Sequence, residues 1–130
     1  MTFKNFAPVL CLIVFIQGFA FAKVNFKDEI LPLFEDYCID CHGPDKSKSG
    51  FRVDRRVHLL KGGDSGLSAV IPAKPEKSYM IEVIKSDDPE IGMPPKGGKL
   101  FDDEVELLEQ WIAEGAVWPG QMEDKIEEGT

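Results

Sequence analysis

Cys38-Ile39-Asp40-Cys41-His42 places two thiols three residues apart, with an imidazole directly after the second thiol. This C-x-x-C-H spacing is typical of the attachment site of a c-type haem. Each thiol can add to one vinyl group of the porphyrin, and the following histidine can bind the iron as its proximal ligand. The motif therefore predicts one covalent haem c, attached through Cys38 and Cys41, with His42 as an iron ligand.

Two other uses of a C-x-x-C pair are weaker explanations. A structural zinc site requires four nitrogen or sulfur ligands, and outside the N-terminal segment the chain offers only two cysteines and two histidines. A thioredoxin-like thiol–disulfide site would need a surrounding βαβ pattern, which the sequence does not show. A small secreted interaction domain, with Cys38 and Cys41 joined as a local disulfide, stays open as the haem-free alternative.

Residues 1–22 have the features of a secretory signal peptide. Lys4 is their only charge, residues 7–21 form an apolar run, and Ala20-Phe21-Ala22 fits the small-residue pattern before a cleavage site. The apolar run is shorter than the ~20 residues that span a membrane. We therefore expect a periplasmic or otherwise exported protein without stable membrane insertion after cleavage, and an uncleaved anchor is the alternative.

The chain is acidic, with 15 Lys and Arg against 23 Asp and Glu and a net charge of −8. This balance argues against nucleic acid and against an anionic membrane surface as partners. It is compatible with a basic patch on a partner protein, or with solubility alone. The acidic residues 120–130 predict a flexible tail, which leaves residues 23–119 as a single domain.

The hydrophobic pattern predicts three helices. Apolar residues at i, i+4, i+7, i+8 and i+11 predict the first over residues 24–37, with a start or a kink at Pro32. Pro75 suits the first position of a second helix that runs to about residue 85. An amphipathic stripe predicts the third helix over residues 102–114. In this helix we expect Trp111 to pack in the core against the first helix.

Met93 is the candidate for the second axial ligand. It lies in Ile91-Gly92-Met93-Pro94-Pro95, where the two prolines forbid a regular helix and disfavour a strand. A stiff loop would present its thioether at a fixed position, as the sixth coordination site of haem iron requires. Packing on the core is the alternative. Packing in the second helix explains Met80 better than ligation, and a partly buried or surface position explains His58 better.

Three arginines, Arg52, Arg55 and Arg56, form a small basic cluster. A solvated face with local ion pairs is one explanation. The other is that Arg52 pairs with a haem propionate through a two-pronged hydrogen bond. Close after His42, the carbonyl of Pro44 is a candidate acceptor for the proton on the second ring nitrogen. Residues 51–54 alternate briefly, which predicts a short strand or an extended segment.

Several short segments appear in order and together resemble the planctomycete-type cytochrome c domain, a mono-haem branch of class I cytochromes c. They are CIDCHGP at 38–44, GFRVD at 50–54, KGG at 61–63, IPAKPEKS at 71–78, MPP at 93–95, and Trp111-Ile112 with Gly115-Ala116-Val117-Trp118-Pro119. The resemblance covers about residues 26–119. Phe101 departs from it, because Ser or Thr often caps the last helix there, and Asp102 is expected to cap instead.

The resemblance implies an all-α, small class I cytochrome c fold, with about three to four helices around one covalently attached haem and long loops. It implies Cys38 and Cys41 as thioether attachments, His42 as proximal ligand and Met93 as distal ligand. It also implies that the first and last helices pack across each other beside the haem, and we expect Trp118 to fold back on the core or the haem edge.

The leading hypothesis is an exported electron carrier rather than an enzyme. With both axial positions filled, the iron would cycle between ferric and ferrous states without binding substrate, and redox partner proteins would dock weakly at the haem edge. The alternative is a haem-based small-molecule binding or sensing module with a displaceable Met93. A peroxidase is less expected, because no second haem motif or distal acid–base pair is seen. Without cofactor, we expect an open cavity lined by His42, Met93 and apolar side chains.

Overall fold

The computed structural model of the protein describes residues 22–96 and 98–120. The predicted leader over residues 1–22 and the predicted tail over residues 120–130 therefore lie, apart from one residue each, outside the described residues. The described part contains α1 (Leu31–Tyr37), α2 (Arg56–Lys61), α3 (Tyr79–Lys85) and α4 (Asp102–Ala113), and no strand. The predicted all-α fold is confirmed. Within the same ranges, no helix combines the length and the hydropathy that crossing a membrane requires.

The predicted first helix consists of two segments of different winding. Phe26–Ile30 forms a π-helical turn, and the side chain of Asn25 caps it by accepting the N–H groups of Lys27 at 3.0 Å and Asp28 at 3.3 Å. α1 follows directly, with Pro32 in its first turn. Proline is tolerated there because N–H groups of the first turn have no partner within the helix. The predicted interruption at Pro32 is confirmed.

The predicted second helix is also divided, at Ser78. Pro75–Lys77 forms a short 3₁₀ turn and α3 begins after Ser78. Ser78 is only 2% exposed, and its hydroxyl donates to the carbonyl of Lys74 at 2.9 Å while it accepts the N–H of Ile71 at 2.9 Å. Because these bonds tie Ser78 to the preceding chain, they hold it in an extended conformation between the two helical segments.

The hydrophobic pattern did not predict α2, which is only six residues long. A helix of this length is too short to reveal an apolar period. It ends at Gly62, whose φ is 78°, and a Cβ at this position would lie 1.9 Å from the carbonyl oxygen of Leu67. Only glycine therefore fits this close approach. Of the two predictions for residues 51–54, the strand is wrong, because no strand forms in the described part, and Phe51 is extended.

An aromatic cluster joins the two ends of the domain. The ring of Trp111 lies 5.8 Å from that of Phe26 and 5.9 Å from that of Phe34. The ring of Trp118 lies 4.0 Å from Phe26. Trp111 is 1% exposed, and its Nε1 donates to the carbonyl of Val117 at 2.9 Å, so its polar edge is satisfied. The predicted packing of Trp111 against the first helix and of Trp118 on the core is confirmed.

Both ends of α4 are tied to other helices. Phe101 takes the N-cap position, so the prediction that Asp102 caps is wrong. The carboxylate of Glu104 accepts the N–H of Phe101 at 2.8 Å and the hydroxyl of Tyr37, at the end of α1, at 3.0 Å. At the C-terminal end, Arg56 of α2 donates from Nε to the carbonyl of Ala116 at 2.9 Å and from Nη2 to that of Gly115 at 3.3 Å.

Candidate haem site

A cavity of about 810 Å³ has the motif side chains in its wall. This volume lies within the ~300–1,000 Å³ of typical ligand and cofactor sites. Cys38, Cys41, His42 and Met93 all line it, and much of the remaining wall is apolar, including Phe51, Val53, Ala69, Val83, Ile84 and Leu100. The expected cavity lined by His42, Met93 and apolar side chains is confirmed. Two thiols, an imidazole, a thioether and an apolar wall fit a covalently attached haem.

The end of α1 brings the motif to this cavity. Cys38 caps α1, and its N–H donates to the carbonyl of Phe34 at 3.0 Å. The carbonyl of Cys38 then accepts the N–H groups of Cys41 at 3.2 Å and His42 at 2.9 Å. The motif therefore folds as one tight turn that continues from the helix. Because of this turn, the side chains of Cys38, Cys41 and His42 all face the cavity.

The two thiols are free in the structure. Burial raises the pKa of the Cys38 thiol to about 12. The nucleophile of a thiol–disulfide oxidoreductase must be a thiolate near neutral pH, so this environment argues against that use of the pair. Among the described residues, no group of three or more His, Cys, Asp or Glu side chains is arranged to hold a metal ion.

The backbone after the motif holds the imidazole of His42. Its Nδ1 lies 3.1 Å from the carbonyl oxygen of Lys48. The predicted acceptor, the carbonyl of Pro44, is therefore wrong: the chain reverses, with the N–H of Gly43 on the carbonyl of Lys46 at 2.8 Å, and brings Lys48 to the ring. A proton on Nδ1, donated to this carbonyl, leaves the lone pair of Nε2 available to a metal.

Met93 reaches the cavity from the loop between α3 and α4. Its backbone N–H donates to the carbonyl of Val83, in the last turn of α3, at 2.9 Å. The ends of the loop are joined by Lys99, whose ammonium pairs with the carboxylate of Asp87 and donates to the carbonyl of Ser86 at 3.2 Å. The loop is therefore held at two places, by the backbone bond at Met93 and by the contacts of Lys99 at its ends. The role of Met93 as a ligand stays a prediction.

Met80 is a second methionine in the cavity wall. It lies on α3, is 6% exposed and belongs to the hydrophobic core, as its position in the helical pattern predicted. The period of a helix identifies a buried face but not the space that this face borders. The sequence therefore gave no signal that Met80 would share a wall with Met93.

Arg52 and His58 do not line the cavity, although the two residues on either side of Arg52 do. Phe51 and Val53 face it, whereas Arg52 between them pairs with Asp54, Nη2 to Oδ2 at 2.6 Å and Nε to Oδ1 at 2.8 Å. A contact of Arg52 with a propionate stays a prediction. The pKa of His58 on α2 is lowered, first by burial and then by the charge of Arg52. Its position outside the wall agrees with the prediction that it is not a ligand.

Comparison with known proteins adds the family. Residues 38–97 match the family model described as planctomycete cytochrome C. No curated protein and no solved structure matches the chain. The matched range starts at the first cysteine of the motif and includes His42 and Met93, so it covers most of the cavity wall. A family of c-type cytochromes binds haem, which agrees with the donor set in this cavity. The match over residues 38–97 therefore supports a planctomycete-type cytochrome c domain in this chain.

Proposed function

We propose that this protein is an exported mono-haem electron carrier. In this proposal Cys38 and Cys41 hold the haem through thioether bonds, and His42 and Met93 are the axial ligands of its iron. The observation that carries the proposal is the shared cavity, because the C-x-x-C-H turn and the distant Met93 loop supply side chains to one space. The haem, when bound, supplies a one-electron couple between ferric and ferrous iron.

The residues of the cavity have separate tasks in this function. The carbonyl of Lys48 accepts a hydrogen bond from the N–H at His42 Nδ1, which makes Nε2 a stronger donor to the iron and fixes the orientation of the ring. Methionine opposite histidine raises the reduction potential relative to two nitrogen ligands. The apolar wall keeps water away and limits the rearrangement that accompanies a change of charge. With protein side chains at both axial positions, no site is left for a substrate, which favours electron transfer over catalysis.

Export and docking complete the proposal. The signal-peptide features of residues 1–22 support a periplasmic location, which agrees with the export typical of cytochrome c domains of this type. Redox partner proteins dock at the haem edge near Cys38 and Cys41. Interfaces of this kind are small, weak and transient.

Absorption spectra test the ligands directly. The protein is produced in a bacterial periplasm that contains haem-attachment machinery, and oxidised and reduced spectra are recorded for wild type, Met93→Ala and the matched control Met80→Leu. Both methionines line the same cavity, so the control separates ligation from packing. We expect the weak sulfur–iron band of the oxidised protein to be lost only in Met93→Ala. Its loss only in Met80→Leu would transfer the distal role to Met80.

A haem stain of the denatured protein tests the attachment, because only covalent haem survives denaturation. We expect staining of wild type and none of the double variant Cys38→Ala/Cys41→Ala. A wild-type protein without covalent haem would refute the proposed function. Carbon monoxide binding to the reduced wild-type protein would instead favour the sensing module with a displaceable Met93.

A further inference from the structure

The carbonyl that contacts His42 belongs to a tight turn formed by residues 48–51, which we name the ligand turn. The carbonyl oxygen of Lys48 lies 3.1 Å from His42 Nδ1 and accepts the N–H of Phe51 at 3.2 Å. The N–H of Lys48 donates to the carbonyl of Cys41 at 2.9 Å. The ring of Phe51 lies 5.1 Å from the imidazole, centroid to centroid. A displacement of this turn therefore changes the hydrogen bond to the histidine.

The backbone of the ligand turn has an unfavourable conformation. Ser49 has a φ of 54° and Gly50 a φ of 64°. A positive φ is uncommon for a residue other than glycine, and it persists only where the surroundings enforce it. The conformation of Ser49 therefore requires a restraint from outside the turn.

The loop of residues 62–66, which we name the bracing loop, supplies that restraint. The N–H of Asp64 donates to the carbonyl of Ser49 at 2.8 Å. A Cβ on Gly63 would lie 2.4 Å from the same oxygen and 2.9 Å from the Cβ of Phe51. A Cβ on Gly50 would lie 2.5 Å from Asp64 Oδ1. Real Cβ atoms essentially never approach other atoms within 3.0 Å. The backbones of the two loops therefore come this close at Gly63 only because this position is glycine, whereas at Gly50 the neighbour is the end of the Asp64 side chain.

We propose that Gly63 is a positioning residue for the proximal histidine and thereby sets the reduction potential of the bound haem. The inference rests on the proposed function, in which His42 binds the iron. Gly63 lets the bracing loop contact Ser49 and Phe51. Ser49 follows Lys48 in the chain, and the N–H of Phe51 donates to the Lys48 carbonyl. This carbonyl controls the basicity of His42. A side chain at Gly63 pushes the turn away and weakens the bond to Nδ1. The histidine then donates less charge to the iron, ferric iron is stabilised less, and the potential rises.

The chain offers a matched pair of glycines for the test. Gly63→Ala adds a Cβ in a crowded position whose φ lies outside the left-handed region, whereas Gly66→Ala adds one that meets nothing within 4 Å, at a φ of 75°. Both variants perturb the same loop, but only the first pushes on the ligand turn. We expect a higher reduction potential for Gly63→Ala and an unchanged potential for Gly66→Ala, with the sulfur–iron band retained in both. An unchanged or lower potential in folded, haem-loaded Gly63→Ala would overturn the inference.

A second measurement uses the reduced, diamagnetic protein, and its result for wild type does not depend on how any variant folds. Nuclear magnetic resonance follows the exchange of the His42 Nδ1 proton with water. We expect slow exchange in wild type and in Gly66→Ala, and faster exchange in Gly63→Ala. An unprotected Nδ1 proton in haem-loaded wild type would overturn the inference and leave the proposed function intact. Wild-type spectra without histidine ligation would overturn the proposed function itself.

Discussion

Replacing Arg56 tests how the C-terminal end of α4 is held. Its guanidinium donates two hydrogen bonds, to the carbonyls of Ala116 and Gly115, and the bond to Gly115 is long at 3.3 Å. A hydrogen bond to a charged group contributes ~1.5–3 kcal/mol, and a cation at a helix C-terminus adds ~0.3–1 kcal/mol. Because the side chain is half-buried and the second bond is weak, we expect Arg56→Ala to lower the free energy of unfolding by about 2–3 kcal/mol.

Two further variants separate the causes. Arg56→Lys keeps the charge at the helix end but loses the two-pronged geometry, so it should lose about 1–2 kcal/mol. Arg55 is the exposed neighbour, and Arg55→Ala should lower the free energy of unfolding by at most ~0.5 kcal/mol. Denaturant unfolding followed by far-ultraviolet circular dichroism measures all three, and a loss of 2–3 kcal/mol lowers Tm by roughly 8–24 °C in a domain of this size. Equal stability of Arg56→Ala and Arg55→Ala would refute the reasoning.

Three other substitutions have expected effects that can be measured in the same way. Leu108→Ala empties a position that is 2% exposed and should cost about 2–5 kcal/mol, whereas the partly buried Leu107 should cost clearly less on the same change; equal losses would contradict the packing described. Burial lowers the pKa of His58, so the unfolded chain binds its proton more strongly and stability should fall as pH decreases from about 6.5 towards the folded-state pKa. His58→Gln should flatten this part of the curve of unfolding free energy against pH. An unchanged slope would contradict the assignment of this pH dependence to His58. The hydrogen bond from Arg52 lowers the pKa of Asp54. The ionised carboxylate therefore stabilises the fold above pH ~3.9, and this stabilisation is lost as pH falls through the folded-state pKa. Asp54→Asn should remove this loss of stability in acid, which unfolding measured at a series of pH values would show.

Local patterns were sufficient where the cause of a structure lies within a few residues. The helix interruption at Pro32, the buried face that contains Trp111, and the turn of the C-x-x-C-H motif all depend on residues close in sequence. Covalent attachment chemistry likewise constrains a five-residue motif, so its two thiols and imidazole could be assigned to one site without a structure.

Other features depend on contacts between distant segments and were missed or mistaken. The acceptor for His42 is Lys48 rather than Pro44, because the path of a reversing loop decides which carbonyl meets the ring. The short α2 has no apolar period to recognise, and its end at Gly62 depends on the approach of Leu67. At the start of α4, Phe101 takes the N-cap position that was predicted for Asp102, and the carboxylate of Glu104 accepts its N–H.

The His42 side and the Met93 side of the cavity are held by different kinds of contact. On the histidine side, two loops are in direct contact and share a backbone hydrogen bond between Asp64 and Ser49. On the methionine side, the loop depends on the bond from Met93 to Val83 and on the closure by Lys99 with Asp87, whose side chain is 96% exposed. Exposed ion pairs add little and are screened by salt.

Segments with few buried anchors open first, at a free energy below that of global unfolding. The Met93 loop is therefore the unit expected to open locally while the helices stay folded. In a denaturant titration of the haem-loaded protein, the sulfur–iron band should disappear before the helical circular dichroism signal, and earlier still at high salt. Coincident transitions would contradict this order. Loss of the band before the helical signal would mean that Met93 leaves the iron reversibly through local unfolding, while the His42 side keeps its contacts.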